Sequence, residues 1–285
     1  MRALWQGMPV TELRSPDGAF ARIADHGAHV LSWIPAGGDD ALYLSAASGY
    51  GQGVAVRGGV PIIFPQFGER GSGRRHGFAR NSLWRLACAE IVQHEAVARY
   101  VLDRRDTAPE DWEHAFALAY EVRVAGGQLS LALTVSNPSP VAWACHAALH
   151  TYLQVGDLAS VALQGLENLN YLDQTQDGRA FVQAPAPLRF TGEIDRIYAD
   201  VSAPLLLTES GGNSEPAGTR AVRIAQEGFR DTVVWNPGAE KAAALRDLSP
   251  GGQTRFVCVE GAAVLQAIAL APGASWTGRQ LLTLA

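Results

Sequence analysis

Two short apolar segments each carry a side chain able to move a proton. In ACHAALHTYL (144–153), a β-strand would put His146, Ala148, His150 and Tyr152 on one face. Cys145, Ala147, Leu149, Thr151 and Leu153 would share the other. An alanine between the two histidines leaves room above a sheet for an imidazole acting as acid or base. The alternative is a packed, hydrogen-bonded histidine pair, since intermediate burial is ordinary for His. Imidazole is also the commonest metal ligand, but no carboxylate lies in this segment to complete a ligand set. In RFVCVEGAAV (255–264), Arg255, Val257 and Val259 form one face and Phe256, Cys258 and Glu260 the other. A carboxylate beside an aromatic ring and a thiol, at the end of an apolar strand, loses water and becomes a stronger base. The competing reading is a strand-end glutamate reaching solvent over Gly261.

A third segment holds positive charge. Residues 74–80 read RRHGFAR, three arginines and a histidine with no acid between Glu69 and Glu90. Charged residues are usually exposed, so a solvated loop is one explanation; a site for an anion is the other. Just upstream, VRGGVPIIFPQFG (56–68) is strongly apolar yet broken by Gly58-Gly59, Pro61 and Pro65. An apolar irregular segment is costly unless it lines a site or plugs the end of a sheet sandwich. Arg57 opens it, and arginine grips phosphate or carboxylate through two parallel hydrogen bonds.

The elements that must position these groups read as strands. YEVRVAGGQLSLALTVSN (120–137) alternates apolar and polar residues on both sides of Gly126-Gly127, a β-hairpin signal. Shorter runs of the same kind are ALYLS (41–45), VALQGL (161–166), TVVWN (232–236), TRFVCVE (254–260) and SWTGRQLLTL (275–284). Helical periodicity is scarce; PEDWEHAF (109–116) allows one turn or a short helix. SGGNSEPAG (210–218) reads as an exposed loop. Short strands punctuated by 30 glycines and 15 prolines predict an all-β fold, a large antiparallel β-sandwich or barrel. With no repeat or linker, residues 1–285 are expected to form a single domain.

Composition narrows the partners. The chain has 285 residues, 47% hydrophobic, and a formal charge of −5. That balance, without a long basic run, argues against nucleic acid and anionic membranes and leaves RRHGFAR as a local positive feature suited to a small anion. Cys88, Cys145 and Cys258 are odd in number and far apart, which argues against a disulfide scaffold or zinc ribbon and for reduced thiols in the cytoplasm. No signal peptide is evident, and no stretch reaches the ~18 apolar residues of a membrane helix. A monomer is the simplest expectation.

Taken together, these segments resemble the aldose 1-epimerase superfamily, and within it the hexose-6-phosphate mutarotase branch. The matching pieces are GAHVLSWIPAG (27–37), ALYLS (41–45), VRGGVPIIFPQFG (56–68), HGFARN (76–81), ALHTYL (148–153), GLENLNYLD (165–173), GEIDRIY (192–198) and VVWNPG through VCVE (233–260). They follow the family's order along nearly the whole chain. The resemblance implies a β-sandwich with a sugar site, His150 as general acid and Glu260 as general base. It implies that Asp195 holds substrate near the acid, that Arg57 and Arg80 bind the phosphate, and that His76 lines the same site. Arg75 stands where some phosphate-binding relatives have Gln; it either adds to phosphate binding or points to solvent beside Arg74.

The implied reaction opens a pyranose ring and recloses it on the other face of C1, with no metal, nucleotide or redox cofactor. Asp195, placed near His150, would favour the imidazolium. The rival readings are a mutarotase for free aldoses, a non-catalytic carbohydrate-binding sandwich, and a metal enzyme built on His146 and His150. His26, His29, His94 and His114 read as structural.

Overall fold

The computed structural model describes residues 1–51, 53–107, 109–210 and 220–284. Alternation in the sequence becomes antiparallel pairing. Ala117–Ala125 and Gln128–Ser136 form the expected hairpin, with Gly126 in the left-handed region where the chain turns. They belong to a nine-stranded sheet that also holds Ser275–Leu284. An eight-stranded sheet contains Trp143–Leu149, Ile194–Tyr198, Asp231–Asn236 and the 15-residue strand Phe256–Leu270. A four-stranded sheet spans Arg2 to Ile34.

The two large sheets bury one core between them. Tyr120, Leu131 and Leu133 come from the nine-stranded sheet; Ala147, Leu149, Val257 and Val259 face them from the eight-stranded one. A fully buried Leu or Val contributes roughly 1.5–3 kcal/mol, so this face sets strand register strongly. The period of two then sends Ala148, Tyr152, Val233, Trp235, Cys258 and Glu260 to the opposite face, away from that core.

Several elements differ from expectation. ALYLS forms no continuous ladder: Leu42 and Leu44 make single bridges, because the segment bonds in turn to Trp33, Tyr152 and Arg57. The run 161–166 ends as a strand at Gln164, and the TRFVCVE strand starts only at Phe256, after a 3-10 turn over Gly252–Arg255. Of the turn or short helix expected at 109–116, the turn forms, with the Trp112 N–H on the Pro109 carbonyl, and the helix does not. Trp112 packs edge-on to Phe64 and Trp143, and Asp111 pairs with Arg74; these tertiary contacts outweigh the weak preference of so short a helix. The one α-helix among the described residues is Gly238–Ala244, in the alanine-rich stretch GAEKAAA. The loop expected at 210–218 lies outside the described residues beyond Ser210.

Candidate active site

ACHAALHTYL is not one strand. Trp143–Leu149 stops before His150, and Tyr152–Gln154 resumes after Thr151. The pairing register survives the break. Ala148 lies opposite Ala262 and Tyr152 opposite Cys258, so His150 and Glu260 face each other across the sheet. Their side chains approach to 3.3 Å, Nδ1 to Oε1. The contact lacks hydrogen-bond alignment, and both His150 Nδ1 and Glu260 Oε2 are without partners. The interruption is held from behind. Thr151 Oγ1 donates to Gln280 Oε1 at 2.5 Å, and Gln280 Nε2 donates to the Val259 carbonyl at 3.0 Å; both residues are fully buried.

Glu260 is 1% exposed and sits in the middle of its strand, so the reading of a strand-end side chain reaching water fails. Burial raises its pKa well above the carboxylate range, and Asp195 adds to the rise. Burial drives His150 well below the usual imidazole value, helped by His76, Arg57 and Arg80. Burial thus opposes charge on both members of the pair. Asp195, on the strand Ile194–Tyr198 opposite Trp235, is itself raised to about 6, mainly by burial. Asp195 adds to the rise at Glu260, while Arg57 and Arg80 add to the fall at His150.

The basic segment is folded against VRGGVPIIFPQFG. Phe78 and Ala79 donate backbone N–H groups to the Phe64 carbonyl. Gly77, at φ +67, is required there: a Cβ would lie 2.0 Å from the Phe64 oxygen. Gln66, 6% exposed, bonds the Gly68 and Gly73 carbonyls and the Gly73 N–H, closing the loop between the two segments. Arg74 turns out of the site to Asp111. His76, at φ +62, turns in, and its Nδ1 accepts from the Gly68 N–H at 3.2 Å.

Arg57, Arg75, His76, Arg80, His150, Asp195 and Glu260 all line one cavity of about 700 Å³. Its cationic wall is unevenly neutralised. Arg57 Nε and Nη2 each lie 3.2 Å from an oxygen of Asp247, and Nη1 donates to Tyr152 Oη at 3.0 Å. Burial opposes the Arg57 charge, but Tyr152 and Asp247 outweigh it and raise its pKa. Arg80 has no such partner: Nη2 donates to the Arg75 carbonyl at 3.1 Å, and Nε is buried with nothing to bond. Burial lowers its guanidinium pKa, and Arg57 and Arg75 push the same way. His76 is driven to about 3 by burial and by these arginines. Among the described residues neither Arg75 nor Arg80 forms an ion pair. Arg75 is exposed and Arg80 half-buried, and a partly desolvated guanidinium with no opposite charge favours an anion beside it.

Period-2 alternation had put Tyr152 on the face of His150, and its ring stacks on the imidazole at 4.8 Å and 10°. Trp235, on the face of Val233, was findable in the same way. Asp247 and Lys241 also line the cavity, and nothing in their local sequence marks them. His146 lines a second, smaller cavity, apart from His150. Among the described residues no three His, Cys, Asp or Glu side chains gather as metal ligands. His29, fully buried, bonds the Gly58 carbonyl at 2.7 Å, and His26 bonds the Val54 carbonyl at 2.9 Å, as structural histidines do.

Known proteins share this arrangement of the chain. A Cenchrus ciliaris protein inferred to be a glucose-6-phosphate 1-epimerase is 31% identical over 287 residues, covering 97% of this chain and 85% of its own. An Escherichia coli K12 protein with the same inferred activity is 31% identical over 266 residues, 89% of this chain and 86% of its own. A solved structure from Salmonella typhimurium, described as an inferred mutarotase, superposes with a TM-score of 0.87 at 27% identity, over all of this chain and 92% of that one. Residues 9–283 match the family model for aldose 1-epimerase, and the chain belongs to that family.

Proposed function

We propose that the protein interconverts the α and β anomers of a hexose 6-phosphate, as a glucose-6-phosphate 1-epimerase. One observation carries this reading. A single cavity holds a buried acid–base pair 3.3 Å apart and a wall of arginines on which Arg80 is unneutralised. A free sugar needs the pair alone; a phosphorylated sugar uses both.

In this reading Glu260, as carboxylate, removes the proton from the C1 hydroxyl while His150, as imidazolium, delivers one to the ring oxygen. The C1–O5 bond breaks and leaves the open-chain aldehyde. After rotation about C1–C2 the hydroxyl attacks the other face of C1. Glu260 then returns its proton and His150 takes one back, so neither residue is consumed. Each positioned proton-transfer group contributes on the order of 10²–10⁴-fold. Arg57, Arg75, Arg80 and His76 hold the phosphate, and Asp195 holds a sugar hydroxyl beside Glu260. The phosphate contacts are remote from C1 and act by orienting the ring.

A single-domain chain is supported by a core that draws residues from Leu13 to Leu282. A cytoplasmic location is supported by three free cysteines; among the described residues no helix is long and apolar enough to cross a membrane. Saturation-transfer NMR of glucose 6-phosphate, beside free glucose and galactose, tests the assignment. Accelerated exchange of the phosphate ester above that of the free sugars is expected. Equal acceleration of all three would return the arginines to another role, and no acceleration of any would remove the catalytic reading.

A further inference from the structure

His150 is presented by a break in a ladder, and the break is held open from the far sheet. The register of Trp143–Leu149 and Tyr152–Gln154 against Phe256–Leu270 is continuous, with Leu149 opposite Gly261 and Tyr152 opposite Cys258. Thr151 therefore lies opposite Val259, and an unbroken ladder would join the two by a reciprocal pair of bonds. Only one of them is made. Val259 N–H donates to the Thr151 carbonyl at 3.1 Å, but Thr151 N–H turns back to the Leu149 carbonyl at 2.9 Å. That bond closes a γ-turn with His150 at its centre. The turn is held on its other flank by His150 N–H on the Pro61 carbonyl at 3.0 Å and by Tyr152 N–H on the Gly59 carbonyl at 2.9 Å.

The turn deprives the Val259 carbonyl of its ladder donor. Gln280 Nε2 takes that place at 3.0 Å, while Gln280 Oε1 accepts from the Thr151 hydroxyl at 2.5 Å. The orientation of the amide is dictated, since a carbonyl can only accept. Gln280 is 0% exposed and belongs to Ser275–Leu284, in the opposite sheet. A buried amide is costly unless it is hydrogen-bonded, and these bonds reach both segments that carry the acid–base pair, one residue from His150 and one from Glu260. We propose that Gln280 is a positioning residue for the anomer interconversion: by occupying the Val259 carbonyl and tying the Thr151 hydroxyl, it keeps the strand broken at His150 and fixes the 3.3 Å approach to Glu260. Without it, the register supplies the Val259 carbonyl with the Thr151 N–H. The ladder closes, the γ-turn opens, and the imidazole leaves its place against Glu260. This inference rests on the reading of His150 and Glu260 as acid and base.

Four variants test it, by turnover of glucose 6-phosphate and by urea unfolding. Thr151→Val and Gln280→Leu should each lower kcat about 10–100-fold with KM within a few-fold of wild type, the scale of loss when reacting groups shift by about 1 Å. Thr151→Ser keeps the hydroxyl and should stay close to wild type. The double variant Thr151→Val/Gln280→Leu separates position from stability. With both side chains apolar and the ladder closed, no buried donor is left unpaired, so its unfolding midpoint should recover toward wild type. Its kcat should stay as low as that of the weaker single variant. Recovery of kcat together with the midpoint, or wild-type kcat in either Thr151→Val or Gln280→Leu, would overturn the positioning role and leave the function standing. Failure of the unaltered protein to turn over glucose 6-phosphate would instead overturn the function, and this inference with it.

Discussion

Asp195→Asn is expected to make the protein more stable and less active, with a pH signature that identifies the cause. Burial raises the Asp195 carboxyl to about 6 from 3.8. Between those values the native state binds more protons than the unfolded chain. A raised carboxyl contributes stability that is present below about 3.8 and lost as pH rises through about 6. Asparagine has the same shape and no charge to desolvate. At pH 7 the substitution should add about 3 kcal/mol, from a shift of roughly two units at 1.36 kcal/mol each. At pH 4 it should add about 0.5 kcal/mol, because the native carboxyl is then protonated and the unfolded one only partly ionised. Urea unfolding of wild type and variant at the two pH values, with equal m-values, measures the difference. Activity should fall in the same variant, because one carboxylate oxygen becomes an NH2 donor and the charged acceptor for a sugar hydroxyl is lost; such a charged bond is worth about 1–3 kcal/mol, a factor of about 5–150 in kcat/KM. A gain equal at both pH values, or a loss at pH 7, would refute the claim that this carboxylate is held desolvated.

Glu260→Gln should lower kcat by about 10²–10⁴-fold with KM within a few-fold of wild type, read by anomeric exchange; a defect in KM alone contradicts its assignment as base. Arg80→Ala should raise KM for glucose 6-phosphate about 10–100-fold, as loss of a charge-assisted contact does, with kcat little changed. Gln280→Leu leaves the Thr151 hydroxyl and the Val259 carbonyl without their partner behind the His150–Glu260 pair. It should cost about 1–3 kcal/mol in urea unfolding and also lower kcat; full activity at reduced stability would show that the pair is positioned without it.

The sheet faces were legible in the order of residues. Period-2 alternation in ACHAALHTYL and RFVCVEGAAV assigns His150, Tyr152, Cys258 and Glu260 to one side and Leu149, Val257 and Val259 to the other, because a strand that buries one face in a core cannot slip by one residue. The glycines and prolines of VRGGVPIIFPQFG and HGFAR likewise announced an irregular segment, and family resemblance supplied the roles. The sequence did not determine what depends on distant residues meeting. Asp247 reaches Arg57 across 190 positions, and Gln280 crosses the core to Thr151. Tertiary packing decided for a turn over a short helix at 109–116, by drawing Trp112 to Phe64 and Asp111 to Arg74. It alone set the charges. Whether Glu260 and Asp195 are ionised, and whether Arg80 has a partner, follows from how much water the fold removes and which opposite charges it brings within reach. Neither quantity is written in the neighbours along the chain.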